Sequence, residues 1–467
     1  MAFLKINPLC HLSHYVFAKN YVFLPLETII INQIVLRTSK IMNPIKVFKF
    51  GGASLRDADN IRNVANILRT YQKESLVIAV SAMGKTTNAL EDVVRAYFAK
   101  SDKTHDLLEK IKQNHYAIMD HLFDSKRNND VYARVNDTFV EIEWILEDTP
   151  HDAFDYVYDQ IVSIGEAVSS KIVAGYLNHI GLKTTWLDAR DMILTDDTWR
   201  EAIVQRKETA KRIQSKMLPA LEKGGFVLTQ GFIGSTKDNN TTTLGREGTD
   251  YSAALYANAV DAQGMYIWKD VQGVLTGDPR VFKNLVKLDK IGYSEAIEMT
   301  YYGATVVHPR TIAPLMQKGI PLNVRSFLEP AAAGTVIGGD GTEGLTYPPI
   351  LMTERNQVFL KVWNQDLTFL VESHIRDLFD IFAKHGIFVN LLQNSGLYFF
   401  VSITNKPEVM TVLLKELSAI FNVERVDGCD LITIRHYNDL KIKELQQGKK
   451  LIFEKTIPQT YQMVVSA

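Results

Sequence analysis

Between residues 241 and 257 the sequence reads TTTLGREGTDYSAALYA, which sets Arg246, Glu247, Thr249 and Asp250 around two glycines just ahead of a run of strong helix formers. Thr249 or Asp250 suits the N-cap of that helix, whose first turn offers unpaired N–H groups and a partial positive charge. Gly245 and Gly248 let the backbone approach a ligand closely, so an anion could be held there. A capped surface helix beside a solvated arginine would use the same residue types.

Other stretches carry similar chemistry. Lys49 lies in the strand-like VFKF and is followed by Gly51 and Gly52; paired glycines free the backbone to wrap phosphate oxygens, and a lysine adds a point charge. A plain turn after a strand has the same form. Residues 79–90, AVSAMGKTTNAL, fit a P-loop only if alanine replaces its first glycine, and the best Walker B candidate, YIWKD, is interrupted by Lys269. A P-loop NTPase is therefore disfavoured. Glu166 opens an otherwise small and apolar helical run and could pair with a substrate ammonium, or simply face solvent in a first turn. WKDVQGVLTGDPR gathers Lys269, Asp270, Asp278 and Arg280 around two glycines after a strand, where a polar Gly-Asp-Pro turn is the plain alternative. His308 and the other histidines show no pairing at metal-ligand spacing, so no protein metal cluster is assigned.

The bulk composition excludes several classes. Lys plus Arg number 52 against 53 Asp plus Glu, a formal charge of -1, so neither nucleic acid nor an anionic membrane is an expected partner. Cys10 and Cys429 are the two cysteines, which supports neither a disulfide framework nor a zinc site and fits a reducing, cytoplasmic setting. The apolar stretch YVFLPLETIIINQIVL is broken by Pro25, Glu27, Asn32 and Gln33, and reads as neither a spanning helix nor a signal peptide. Strand-like alternation begins just after Met42, so the first 41 residues read as an upstream start carried into the chain rather than an organellar presequence.

The elements that must position these residues follow from periodicity. IKVFKF, SLVIAV, KTTWLD, GGFVLTQGFIG, GMYIWKD and IPLNVRSF read as strands alternating with amphipathic helices, which predicts an α/β fold with a mainly parallel sheet. Residues 95–160 lack strand signals and read as a helical excursion. The glycine- and proline-rich EPAAAGTVIGGDGTEGLTYPP reads as a linker. Beyond it QVFLKVW, HIRDLFDIFAKHG, FVNLLQ, LYFFVSIT, PEVMTVLLKELSAIF and DLITIRHY give a βαββαβ plan, followed by a short helix and two strands. The expected division is an N-terminal extension at 1–44, a catalytic domain at 45–340 and a regulatory domain at 350–467.

In this order, KFGGAS, SAMGKTTNAL, GEAVSS, TQGFIG, TTTLGREGTDYSAA, WKDVQGVLTGDPR and YGATVVHP resemble the aspartate kinases of the amino-acid kinase fold, over roughly residues 45–340. The C-terminal part resembles the ACT regulatory region of those enzymes. The resemblance implies a three-layer sandwich and ATP-dependent phosphorylation of the L-aspartate side-chain carboxylate, the first step toward lysine, threonine and methionine, with Mg2+. It implies that Lys49 binds phosphate and stabilises transition-state charge, helped by Gly51, Gly52, Ser54 and Ser81, with Asp250 beside the transferring group. Arg246 would grip the substrate α-carboxylate and Glu166 its ammonium, with Thr87, Phe232 and Thr249 lining the same pocket. Lys269, Asp270, Asp278 and Arg280 would hold the nucleotide. A homodimer paired through ACT edges, with an amino-acid effector there, is the implied assembly.

The chain departs from the family pattern in several places. The family commonly has Gly-Arg-Gly-Gly-Ser-Asp where this chain has GREGTD, so Glu247 brings a carboxylate to the anion site, repelling substrate if turned inward. Thr305 replaces a phosphate-contacting lysine, Leu275 a tyrosine and Ala53 a threonine, while Lys269, where threonine is usual, could restore the lost charge; Lys85 is a less favoured candidate for the triphosphate. The second ACT unit looks truncated after Tyr437, and Gly396 in NSGLY stands in place of an acid. A catalytically weak amino-acid sensor, or another amino-acid kinase, is the competing reading.

Overall fold

The computed structural model describes residues 43–123, 129–304, 307–339 and 344–466; the first 41 residues and Thr305 lie outside the described residues. From Pro44 onward the chain packs as one compact unit around two sheets.

The first sheet starts with β1 (Ile45–Phe50) and β2 (Ser75–Val80), paired in parallel and joined by the helix Ala58–Arg69. That helix forms because Asp57 caps it, accepting from the Asn60 N–H, and because Ile61, Val64, Ala65 and Leu68 recur on one face. Five helices follow (Thr86–Phe98, Thr104–Leu122, Asn129–Glu147, Phe154–Val162 and Ile164–His179), which is the predicted excursion. They pack on the sheet face carrying Phe48, Phe50, Ile78 and Val80. The chain then adds β3 (Thr184–Leu187), β4 (Phe226–Gln230), the hairpin β5 (Ile233–Ser235) and β6 (Thr241–Thr243), and β7 (Gly264–Lys269). A small hairpin of β8 (Val274–Leu275) and β9 (Lys287–Leu288) precedes β10 (Lys290–Ile291), β11 (Leu322–Ser326) and β12 (Thr335–Ile337).

The eight-stranded order is β10-β12-β11-β7-β1-β2-β4-β3, parallel except where β12 meets β11. Helices cover both faces, so the strands are apolar on both sides rather than alternating. The opposite face, with Val47, Val77 and Ala79, carries the helix Gly248–Ala259. Lys49 shares the parity of Val47, so strand alternation aims it at that helix. All the parallel strands end at one edge, where ligands of open α/β sheets bind.

The expected linker is corrected in part. Thr335–Ile337 is not loop but strand β12, held because Thr335 Oγ1 donates to Leu288 O and accepts from Val274 N–H. The expected helix cap is also corrected: the helix begins at Gly248, so Thr249 and Asp250 lie in its first turn and Glu247 occupies the cap position.

The second sheet is antiparallel, with strands β13 (Ile350–Asn364), β14 (Val389–Asn394), β15 (Phe399–Thr404), β16 (Phe421–Arg435), β17 (Lys450–Ile457) and β18 (Thr460–Ser466) in the order β14-β15-β13-β16-β18-β17. Two 15-residue strands, β13 and β16, run through the whole sheet, with register shifts around Gln357. The helices Glu372–Lys384 and Pro407–Ile420 cover Val358, Leu360 and Val362, completing the βαββαβ plan. The shortened second unit consists of the remaining halves of β13 and β16, β17, β18 and the single helix Asp439–Gln446.

A buried ionic contact joins the two sheets' territories. Arg435 forks onto Glu295 through Nε and Nη2, both at 2.7 Å, and reaches Glu298 at 2.9 Å. Burial alone would raise the Glu295 carboxyl, but the Arg435 guanidinium and His436 hold it below the usual range. Removing one partner strands the other charge. Arg435→Ala is therefore expected to cost about 3–5 kcal/mol, read as a lowered denaturant midpoint. The double change Arg435→Met with Glu295→Met should recover most of that loss.

Candidate active site

At the shared strand edge, two glycines first bring the β1 and β2 turns together. A Cβ on Gly52 would lie 2.7 Å from Gly84 O, and the Gly84 N–H donates to Gly52 O at 3.0 Å. This close approach leaves room for no side chain, so the GG turn has a packing reason as well as a binding one. Gly51 and Ser54 complete the turn, with the Ser54 N–H donating to Gly51 O; Ser54 is buried, and neither residue lines a cleft.

The opening motif folds next to it. The Leu244 N–H donates to Phe232 O, and Gly248 packs so closely on the Phe232 ring that a Cβ would sit 2.7 Å from it. A Cβ on Gly231 would in turn collide with Thr249. This seats the helix start against β2, where Ser81 Oγ donates to Thr249 Oγ1 at 2.9 Å. Asp250 then meets Lys49 Nζ at 2.6 Å, an ion pair shielded from water whose Oδ1 is not aligned as a hydrogen-bond acceptor.

Glu166 enters from the first turn of the helix Ile164–His179 and is 2 % exposed. Its Oε1 accepts from the Ala82 N–H at 3.2 Å, whereas Oε2 is buried with no hydrogen-bond partner among the described residues. Burial pushes this carboxyl up to about 8, against the pull of the Ala82 N–H. A buried acceptor left unsatisfied by the protein is costly, and a cationic ligand would remove the penalty.

These groups share one cleft of about 840 Å³, lined by Lys49, Gly52, Ser81, Thr87, Glu166, Phe232, Arg246, Thr249, Asp250 and Lys269. Arg246 is exposed at its edge and makes no ion pair among the described residues. The cleft therefore offers a carboxylate for an ammonium, a guanidinium for a carboxylate, and a lysine at a helix N-terminus for a phosphoryl group. A second cleft of about 470 Å³ adjoins it at Lys269 and contains Asp270, Asp278 and Arg280. Asp278 and Arg280 form an exposed pair at 2.7 Å, which holds the Asp278 carboxyl below its ordinary range. Lys85 is exposed and lines neither cleft.

Glu247 has a φ of 55°, the left-handed region where the family's glycine would be unstrained. It lines the cleft beside Arg246, and its Oε2 accepts from the His308 N–H at 3.0 Å, at the start of the helix Pro309–Met316. Both helix N-termini offset its charge.

Sequence reasoning missed one wall of the cleft, formed by Thr198, Trp199, Arg200 and Glu201 with Asp155 and Tyr158. No motif marks this wall, and no local pattern in the sequence points to it.

Residues 44–326 match the amino acid kinase family. The lysine-sensitive aspartokinase 3 of Escherichia coli is 32% identical over 403 residues, spanning 84% of this chain and 87% of that protein. A bifunctional aspartokinase/homoserine dehydrogenase of Arabidopsis thaliana is 33% identical over 294 residues, 62% of this chain; the chain spans 32% of that longer relative. The crystal structure of E. coli aspartokinase III with aspartate and ADP superposes with a TM-score of 0.74 at 28% identity, covering 90% of this chain and 96% of that one. With matches of this extent running through both sheets, the chain belongs to the amino acid kinase family and, within it, to the aspartokinases.

Proposed function

We propose that this chain transfers the γ-phosphoryl group of ATP to the side-chain carboxylate of L-aspartate, giving 4-phospho-L-aspartate and ADP. The observation that carries this is the shielded Lys49–Asp250 pair in the same cleft as the unpartnered Glu166 Oε2 and the unpaired Arg246. The structure of E. coli aspartokinase III with aspartate and ADP supports the same reading.

The nucleophile needs no general base, because a carboxylate is already ionised at neutral pH. One of its oxygens attacks the γ-phosphorus while the bond to the β,γ-bridging oxygen breaks and ADP carries away that electron pair. The protein's work is then positioning and charge neutralisation. Glu166 takes the α-ammonium and Arg246 the α-carboxylate, which orients the side chain toward Lys49. Lys49 meets the developing charge on the transferred group, and Asp250 fixes where its ammonium stands. Lys269, Asp270, Asp278 and Arg280 hold the nucleotide in the adjoining cleft.

Among the described residues no group of three acidic, histidine or cysteine side chains is placed to hold a metal ion. A magnesium ion held by one carboxylate and substrate phosphates fits that donor set, with Asp250 as the carboxylate. Bound there, Mg2+ would screen the phosphate charge. A cytoplasmic homodimer paired through ACT edges and an amino-acid effector at the C-terminal sheet complete the reading. Among the described residues no helix is long and apolar enough to cross a membrane. Of the two departures behind the sensor alternative, Glu247 lines the cleft with its Oε2 bonded to the His308 N–H, and Thr305 lies outside the described residues.

Full-length protein with Mg2+, ATP and L-aspartate should form a hydroxamate when trapped with hydroxylamine, and Lys49→Ala should slow it by roughly 10²–10³-fold. A folded wild type that binds ATP yet yields no hydroxamate would point to the sensor instead.

Glu166 links activity to pH. Only its ionised form pairs with the ammonium, so below about 8 a proton competes and aspartate affinity should fall about tenfold per pH unit. Stability runs the other way. A carboxyl whose pKa is raised on folding favours the fold when protonated, and that contribution fades as pH rises through about 8. Glu166→Gln should therefore raise the melting temperature of the unliganded protein above that pH while weakening aspartate binding roughly 10–100-fold and removing its pH dependence. Calorimetric titration across pH checks both.

A further inference from the structure

The wall that the motifs did not reveal is tied to the site through Asp159, which is fully buried. Its two oxygens accept from the Arg200 N–H at 3.1 and 3.0 Å. Oδ2 also accepts from the Thr243 N–H at 2.9 Å, and Oδ1 from the Thr243 hydroxyl at 2.6 Å. Three separate donors thus converge on one carboxylate, which is an acceptor-only group with enough lone pairs for all of them. Burial pushes the carboxyl up to about 6 against the pull of these donors, which still leaves it ionised at neutral pH.

The neighbouring Gln160 extends the arrangement. Its Nε2 donates to Thr241 O at 2.8 Å and its Oε1 accepts from the Thr241 N–H at 3.3 Å. β6 pairs with β5 on one side, so Asp159 and Gln160 satisfy its other, free edge as a neighbouring strand would. The Thr243 carbonyl accepts from the Ala202 N–H at 3.0 Å, closing the wall onto the same strand. Arg200 has a φ of 69°, a strained backbone held by its bond to Asp159, and its guanidinium lies 4.4 Å from the Tyr158 ring centre.

The connections in sequence give this cluster its consequence. Asp159 lies on the helix Phe154–Val162, which passes through Ser163 directly into the helix whose first turn carries Glu166. Thr243 ends β6, and three residues later the chain reaches Arg246. The two groups assigned to the ammonium and the α-carboxylate thus stand on separate elements that Asp159 bonds together. The spacing of those two charges on an α-amino acid is fixed by covalent geometry, so the elements must be held at one separation.

We propose that Asp159 is a positioning residue for the aspartate site, setting Glu166 and Arg246 at the separation of an α-amino acid's ammonium and carboxylate and holding the Arg200 wall beside them. This inference rests on the assignment of aspartate as substrate. It distinguishes the amino-acid half of the cleft from the nucleotide half, which Asp159 does not touch.

The test compares full-length wild type, Asp159→Asn and Thr243→Val in the hydroxamate assay, with KM measured separately for aspartate and ATP and a thermal melt of each protein. Asparagine keeps the shape but turns a donor toward converging donors. Asp159→Asn is expected to raise the aspartate KM about tenfold or more, by more than any fall in kcat, with the ATP KM within about twofold of wild type. Thr243→Val, which removes one of the bonds, should raise the aspartate KM about threefold, and this variant decides the matter if Asp159→Asn does not fold. An unchanged aspartate KM in a folded variant, or equal rises in both KM values with a lowered melt, would overturn the positioning role while leaving the kinase reading intact. Absence of hydroxamate from wild type itself would overturn the substrate assignment and this inference with it.

Discussion

Everything in the catalytic half is arranged around one constraint: a lysine ammonium must be kept charged and still at the mouth of a parallel sheet. Lys49 is on a central strand, and its neighbours in register are Ala79 and Ile267, which offer no polar group. Asp250, in the first turn of the helix packed on that face, supplies the counter-charge at 2.6 Å. The pair needs the strand's alternation to aim the lysine and the close contacts at Gly231 and Gly248 to seat the helix. A shift of either element by one residue would turn Lys49 into the core or move Asp250 out of reach.

Strain collects around the same cleft. Arg200, Phe232 and Glu247 all have positive φ, each costing on the order of 1–3 kcal/mol in a residue with a side chain. Each is held by a specific bond or contact: Arg200 by Asp159, Phe232 by its N–H donating to Ser252 Oγ, and Glu247 by the His308 N–H. The unsatisfied Glu166 oxygen adds a desolvation cost that stable packing alone would not retain. Of these costs, the Glu166 penalty is the one that a cationic ligand would remove.

The C-terminal sheet is part of the wall of the cleft at Lys269 and Asp270. The Leu351 N–H of β13 donates to Thr276 O at 2.7 Å, and Ile350, Leu351, Met352 and Thr353 line the cleft of Lys269 and Asp270. Phe282 packs with Leu351, Ile432, Ile434 and Met463. The sheet is thus attached to the loop of Lys269 and Asp270 by direct contact, with the Arg435–Glu295 contact as a second attachment.

The sequence by itself determined the order and type of the longer strands and of most helices, because alternation and helical periodicity are local, though the helices Arg206–Glu222 and Pro309–Met316 and the short strands β6 and β8 to β10 were not read from it. It also singled out Lys49, Glu166, Arg246 and Asp250, which the fold brings to one cleft, since glycines and polar residues concentrated beside strands and helix starts are visible along the chain. It did not reveal β12, whose three residues are too few to show a period and sit in glycine-rich surroundings, nor that β13 and β16 run unbroken through two units. The cap at Glu247 was hidden as well, since a left-handed glutamate contradicts local preference and is held by a residue 61 positions away. Tertiary structure alone decided the wall at Arg200 and the hub at Asp159, whose bonds cross 41 and 84 residues. Local patterns state what a segment prefers; which distant donors converge on a buried carboxylate depends on how the segments pack.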